Sequence, residues 1–470
     1  MEQNRFKDYS DRERRLVLDF EHMLTHQKPR FFDLDDLTSI IDFYIDTCDI
    51  EMVDKAVRQA ERLFPDSPDI RLRRAMAMYL HHRYKPALVL LQSLHDADPE
   101  DRDVLYAMGL VYSALGKSDE AIWCYKQSAS DGYHVEVQLC NIGDEYMKKG
   151  DLKQAEEYYL QAMEYEDVED RAFINLNTIW TDADRCEYAI QYWNEFLAQH
   201  PYSDLAWFCL SKVYLIELLF EKAEEALQYA LTINPEFLDA YPMLAQTQQL
   251  LGRNNDAIAT LRDLLQYTDD PSAVQLSIGC NYFDLGNFDT AAIYLKESVE
   301  SNPYNTTAWG MLGLVYAHMG ETSLANKACK KALSLDMISE DDLFHVASAF
   351  KILGDVDNAI KILKLIAVHP DADSSAWQFL IDLYIEEEEY DQALDVISSC
   401  IYSTEEDASL HLRAAYCYYM TKNRSAFRSS LLACAKSDYG AMRHLETMIP
   451  EILTDPDYVN VLQSFNPEER

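Results

Sequence analysis

The stretch Trp309–Tyr316 reads W-G-M-L-G-L-V-Y, so that Trp309, Leu312, Gly313 and Tyr316 recur at the spacing of one helix face. Farther on, Ala325 and Ala332 supply two small side chains on what reads as a second helix. Stepping from Ala325 by 34 residues in both directions gives Val53, Ala87, Ala121, Ala155, Ala189, Ala223, Ala257, Ala291, Ala325, Ala359, Ala393 and Phe427, ten alanines in twelve positions. Two helix backbones approach closely only where the side chain between them is small, so a small residue at a constant interval marks one helix pair copied along the chain.

The rest of the unit follows on the same interval. The residue closing the first helix is Tyr44, Met78, Tyr112, Tyr146, Trp180, Tyr214, Gln248, Tyr282, Tyr316, Phe350, Tyr384 and Tyr418, aromatic in all but Met78 and Gln248. Between the helices, Gly116, Gly150, Gly252, Gly286, Gly320 and Gly354 suit a turn that needs positive φ. Elsewhere that fit loosens, and Glu388 takes the place within the acidic run Glu386 to Glu389, which reads as a solvated loop. After the second helix, Pro65, Pro99, Pro201, Pro235 and Pro303 stop the helix they follow.

Twelve such units over residues 34–441 resemble the tetratricopeptide-repeat family, whose W-x-x-L-G-x-x-Y opening is matched by Trp309–Tyr316. The resemblance implies an all-α fold, a right-handed superhelical solenoid of about twelve helix-turn-helix repeats with helical caps at both ends. Residues 1–33 then form an N-terminal helical cap, with Phe6, Tyr9, Leu16, Phe20, Met23 and Leu24 near helical spacing. Residues 442–470 form a C-terminal helical cap and tail, divided by Pro450 and Pro456 into short pieces. Pro242 falls in a first helix but, with Asp239 as N-cap, lands in its first turn. The second repeat is expected to be the least regular, because Arg71 and Arg74 occupy apolar places of the template.

Charge limits the partners. The chain has 41 Lys and Arg against 81 Asp and Glu, a formal net charge of −40, which repels phosphate backbones and anionic membranes alike. No run approaches the roughly 18 apolar residues of a spanning helix, and the charged N-terminus lacks a signal-peptide core. A cytoplasmic protein is expected. The ten cysteines, among them Cys48, Cys140, Cys280, Cys400 and Cys434, form no C-x-x-C pair and read as buried free thiols.

No Gly-rich phosphate loop, H-E-x-x-H or G-x-S-x-G occurs, and the continuous repeats leave no room for a catalytic domain, so neither an enzyme nor a cofactor is expected. His22 and His26 have metal-like spacing but read as an exposed pair. His81 and His82, with Arg71, Arg73, Arg74 and Arg83, make a small basic island that reads as a solvated helix face. In the family resembled, first helices line an inner groove; those positions here hold Tyr79, Tyr106, Phe208, Phe283, Phe344, Tyr416 and Tyr419, interleaved with Asp42, Asp46, Asp144, Asp182, Asp284, Asp382 and Glu386. They carry none of the Lys and Asn clamp with which some family members bind acidic tails. Aromatics among carboxylates suit a protein or peptide that is basic or amphipathic. The expectation is a non-enzymatic scaffold; the alternative is a peptide-operated regulator whose superhelix changes shape on binding.

Overall fold

Several first helices begin where a short polar side chain satisfies a free backbone N–H. In the computed structural model, Asn305 accepts from the Ala308 amide at 3.0 Å and opens Thr306–His318. Asp33, Asp101, Ser203 and Asp407 do the same for Leu34–Asp46, Arg102–Ala114, Asp204–Ile216 and Ala408–Met420. Asp239 stands at the N-cap of Ala240–Leu250 without a capping bond, and Pro242 lies in the first turn as expected.

The structure describes residues 9–26, 30–129, 135–165, 170–336, 338–366, 374–401 and 407–465, and among them are helices and turns but no strand. Phe6 of the N-terminal segment lies outside the described residues. Two compact units divide the chain, Met1–Asn234 and Pro235–Arg470. In the first, the helix pairs are Leu34–Asp46 with Ile50–Leu63, Pro68–Leu80 with Tyr84–His95, Arg102–Ala114 with Ser118–Ser128, Val135–Lys148 with Leu152–Ala162, Asp170–Asp182 with Cys186–Gln199, and Asp204–Ile216 with Phe220–Ile233. In the second they are Ala240–Leu250 with Asn254–Leu264, Ser272–Asp284 with Phe288–Ser301, Thr306–His318 with Thr322–Leu333, Glu340–Ile352 with Val356–Ile366, Ser374–Glu386 with Tyr390–Ile401, and Ala408–Met420 with Arg424–Ser437. Within each unit a first helix packs on its own second helix, which packs on the next first helix.

The small-residue positions are where that packing is tightest. Every one of them, from Val53 to Phe427, is at 0% exposure. Gly313 is needed for the same reason: a Cβ there would sit 2.5 Å from Cys329 Sγ, and one at Gly143 would sit 2.7 Å from the Tyr159 ring. At the start of the first helix, the Trp309 indole N–H donates to the Pro303 carbonyl at 3.1 Å, as Trp207 does to Pro201 at 3.0 Å. In these two repeats, and through the Tyr241 hydroxyl on the Pro235 carbonyl at 2.9 Å in a third, the aromatic residue ties the proline turn to the helix that follows it.

Every helix pair turns at one backbone point. At intervals of 34 residues from Cys48 to Lys422 all twelve positions have positive φ, six of them Gly at 71° to 77° and six of them Cys48, His82, Asp184, Leu218, Glu388 and Lys422 at 52° to 60°. The loosened fit of the sequence at these six places is a change of residue and not of backbone.

One expectation is corrected. The second repeat is regular, because Arg71 and Arg74 turn outward: Arg71 donates to Ser93 Oγ at 2.8 Å and Arg74 pairs with Glu61 at 2.9 Å. The flanking segments bury only part of their apolar residues. Val17, Phe20 and Phe32 are buried beside Asp11–His26, but Phe31 is 77% exposed. At the other end, Leu445–Met448, the 3-10 turn Pro450–Thr454 and Pro456–Phe465 bury Ile449, Ile452 and Tyr458, leaving Leu453 exposed. Nine cysteines are described as free thiols, seven of them buried; Cys48 is exposed, and the Cys400 side chain lies outside the described residues.

Candidate functional site

All fourteen residues picked out as groove positions fall on first helices. Asp42, Asp46, Tyr79, Tyr106, Asp144, Asp182 and Phe208 belong to the first unit, and Phe283, Asp284, Phe344, Asp382, Glu386, Tyr416 and Tyr419 to the second. They therefore make two sets, each set by its own run of helices.

Most of the carboxylates are already engaged. Arg73 reaches back 31 residues to Asp42 at 2.5 Å, and Arg413 reaches back 31 residues to hold Asp382 with two bonds of 2.7 and 2.8 Å. Asn175 occupies the corresponding place in its repeat and donates to Asp144 at 3.2 Å, where Arg171 at 2.5 Å and the Tyr159 hydroxyl at 2.5 Å also converge. Lys351 pairs with Glu386 at 2.8 Å, and the Tyr9 hydroxyl donates to Asp46 at 3.2 Å. Asp182 and Asp284 are exposed and have no ion pair among the described residues. Burial raises Asp42 above the ordinary aspartate value against the opposing pull of Arg73. It raises Asp46 and Asp284 as well. Loss of water is the cause in each.

The aromatics present edges and not free faces. Phe208 is 5% exposed, with the Lys212 ammonium 4.7 Å over its ring, so it forms wall and not contact surface. Phe344 meets Phe379 of the next first helix at 5.2 Å, and Phe283 is flanked by Phe288 at 5.6 Å and His318 at 5.3 Å. Tyr79, Tyr106, Tyr416 and Tyr419 are half-buried beside Tyr84, Tyr125, Tyr390 and Phe427. A ligand would meet these rings at the rim of the inter-repeat packing.

A polar stripe escaped the sequence reading. On Val135–Lys148, Gln138, Asn141 and Glu145 follow helical spacing and are buried, yet Gln138 Oε1, Asn141 Nδ2 and Glu145 Oε2 have no hydrogen-bond partner. Burial opposes ionisation of Glu145, but Lys148 and Ser113, both donating to its other oxygen, outweigh it and hold the group below the ordinary glutamate value. Three polar residues at apolar template places were the available signal.

Outside the first-helix faces, a cleft of about 560 Å³ is lined by His95, Pro99, Glu100, Arg102, Leu105, Trp123 and Gln127. A second, of about 380 Å³, includes Arg58, Arg74, His81 and Arg83, but its cations are offset by Glu61 and by Asp54, 3.1 Å from His81. The basic island is thus largely paired within the fold. His22 and His26 stack face to face at 4.0 Å, and among the described residues no group of three or more metal-ligating side chains converges.

Comparison with known proteins finds tetratricopeptide-repeat models matching residues 103–130, 139–167, 219–277 and 276–337. The chain is 20% identical over 268 residues to anaphase-promoting complex subunit 3 of Schizosaccharomyces pombe, covering 57% of this chain and 40% of that protein's length. It is 20% identical over 350 residues to the TPR repeat-containing protein YpiA of Bacillus subtilis, covering 73% of this chain and 74% of YpiA. Among solved structures, yeast Tom70 matches with a TM-score of 0.44 at 14% identity, over 91% of this chain and 98% of that one. No helix among the described residues is long and apolar enough to cross a membrane.

Proposed function

Taking as premise that the chain is a tetratricopeptide-repeat protein, we propose that it is a non-enzymatic scaffold whose first helices bind protein or peptide partners in the cytoplasm. The carrying observation is the placement of the fourteen aromatic and acidic residues on first helices, with Asp182 and Asp284 exposed and without an ion pair among the described residues. Each unit takes an amphipathic segment: apolar anchors meet its half-buried rings, and a Lys or Arg meets its free carboxylate, Asp182 in the first unit or Asp284 in the second. Most of the other carboxylates already have cationic partners, so the attraction is local and modest, and anchors supply most of the affinity. The relative that is a subunit of the anaphase-promoting complex supports a role within an assembly, although the chain spans only 40% of it.

Crosslinking mass spectrometry on the intact chain captured with its partners tests the reading. Crosslinks on the first helices are expected. Affinity for a basic partner should fall as salt rises from roughly 50 to 500 mM, because screening acts within about 8 Å at physiological strength. Salt-indifferent binding of a basic partner would discard the electrostatic part, and crosslinks confined to second helices would discard the groove.

A further inference from the structure

Two second helices of the second unit, Thr322–Leu333 and Val356–Ile366, carry a basic surface, opposite in sign to the chain. Arg262, Lys296, Lys330 and Lys364 stand 34 residues apart on Asn254–Leu264, Phe288–Ser301, Thr322–Leu333 and Val356–Ile366. Lys327 and Lys361 form a second row on the last two of these helices. Thr322–Leu333 holds Lys327, Lys330 and Lys331 and no acidic residue at all, and Val356–Ile366 holds Lys361 and Lys364 against Asp357 alone. Both helices pack on Glu340–Ile352, so their rows flank one first helix.

These cations are available. Lys327, Lys330, Lys361 and Lys364 are exposed and Lys331 is half-exposed. None of the five has an ion pair among the described residues, although Lys364 rests 5.5 Å over the Tyr384 ring. Large apolar residues stand among them: Leu324 is 43%, Leu333 38% and Leu365 60% exposed. In a chain of net charge −40 with almost two acids to each base, two neighbouring helices with five lysines and one aspartate are a local inversion.

We propose that this face, on the second helices and independent of the first-helix site, docks a short acidic amphipathic segment of a partner protein. Its carboxylates pair with the Lys327–Lys361 and Lys330–Lys364 rows, and its apolar residues cover Leu324, Leu333 and Leu365. Length decides the class of ligand. A long polyanion such as nucleic acid, or an anionic bilayer, extends past the patch onto acidic surroundings and is repelled there, whereas a short segment stays within a Debye length of the lysines.

The test is fluorescence anisotropy with the full chain and a fluorescein-labelled peptide repeating Glu-Glu-Leu-Leu, at low salt. Saturable binding is expected, weakened at least about tenfold by combined Lys327→Glu, Lys330→Glu and Lys361→Glu and unchanged by the exposed control Lys153→Glu. A Lys-Lys-Leu-Leu peptide should gain affinity for the triple variant, a reversal that misfolding cannot produce, and circular dichroism should give both proteins the same helical content. Absence of saturable binding, equal affinity of the triple variant, or tighter lysine-dependent binding of DNA or phosphatidylserine vesicles overturns the proposal. So does self-association in sedimentation that the triple variant abolishes, since a second copy is then the occupant.

Discussion

Leu218 holds its backbone at φ 57° with its side chain 70% exposed, in a conformation that costs a branched residue about 1 to 2 kcal/mol and costs glycine almost nothing. Leu218→Gly should therefore raise the stability read from urea melts, by about 0.5 to 1 kcal/mol after the extra chain entropy of glycine is subtracted. Gly286→Leu, at the same point of its own repeat, should lower it by about 1 to 2 kcal/mol. Opposite signs are the expected outcome; equal signs would mean that the turn does not select its residue. Side-chain volume is decided as locally. Ala325→Leu, at 0% exposure, should cost about 1 to 3 kcal/mol, whereas Ala259→Leu on an exposed helix face should leave the melting temperature nearly unchanged. These positions were legible because a steric limit at a constant interval leaves a repeated letter, and where the letter changes, as at Val53 and Phe427, burial persists.

Between helices, contacts repeat in kind with changing partners. Tyr146 and Tyr158 stack at 5.5 Å with Lys126 over both rings, and Tyr282 and Tyr294 stack at 5.7 Å with Arg262 over both, four repeats later in the same register. Glu156 binds Arg185 with bonds of 2.8 and 3.0 Å and accepts from the Trp180 indole at 2.8 Å, joining one second helix to the next pair. Burial opposes ionisation of Glu156, but the Arg185 and Trp180 bonds win and its value lies below the ordinary 4.5. A carboxylate lowered by folding stabilises the fold fully above its unfolded value, and that contribution fades as pH falls from 4.5 through the lower folded value. Glu156→Gln should therefore reduce stability at neutral pH and flatten the loss as pH falls below about 4.5, read by urea melts at each pH. None of this was legible from the repeat template, since it fixes positions and not the polar chemistry that neighbouring repeats share. Arg71 and Arg74 show the reverse error: they violate the apolar template and still fit, because long side chains carry their charge out to Ser93 and Glu61.

Over the whole molecule, the net charge of −40 conceals two local exceptions. The carboxylates of Asp42, Asp144, Asp382 and Glu386 are offset by cations near one repeat away, while Lys327, Lys330, Lys361 and Lys364 of the second unit have no ion pair among the described residues. The first-helix placement of these residues was legible, but their available charge was not, since pairing across 31 residues emerges only when helices are stacked. Self-repulsion of so many uncompensated acids should still dominate the salt response. The thermal midpoint is expected to rise between roughly 50 and 500 mM sodium chloride, and a falling midpoint would show that the internal ion pairs outweigh the repulsion.

The uniform interval between left-handed turns also constrains how such a gene can change length. Deleting or duplicating 34 codons keeps the turns in step, whereas losing a handful within a helix breaks that helix's own face and the 31-residue pairings that span the loss. Growth and shrinkage by whole units are then the tolerated steps, and small indels belong in the turns between them.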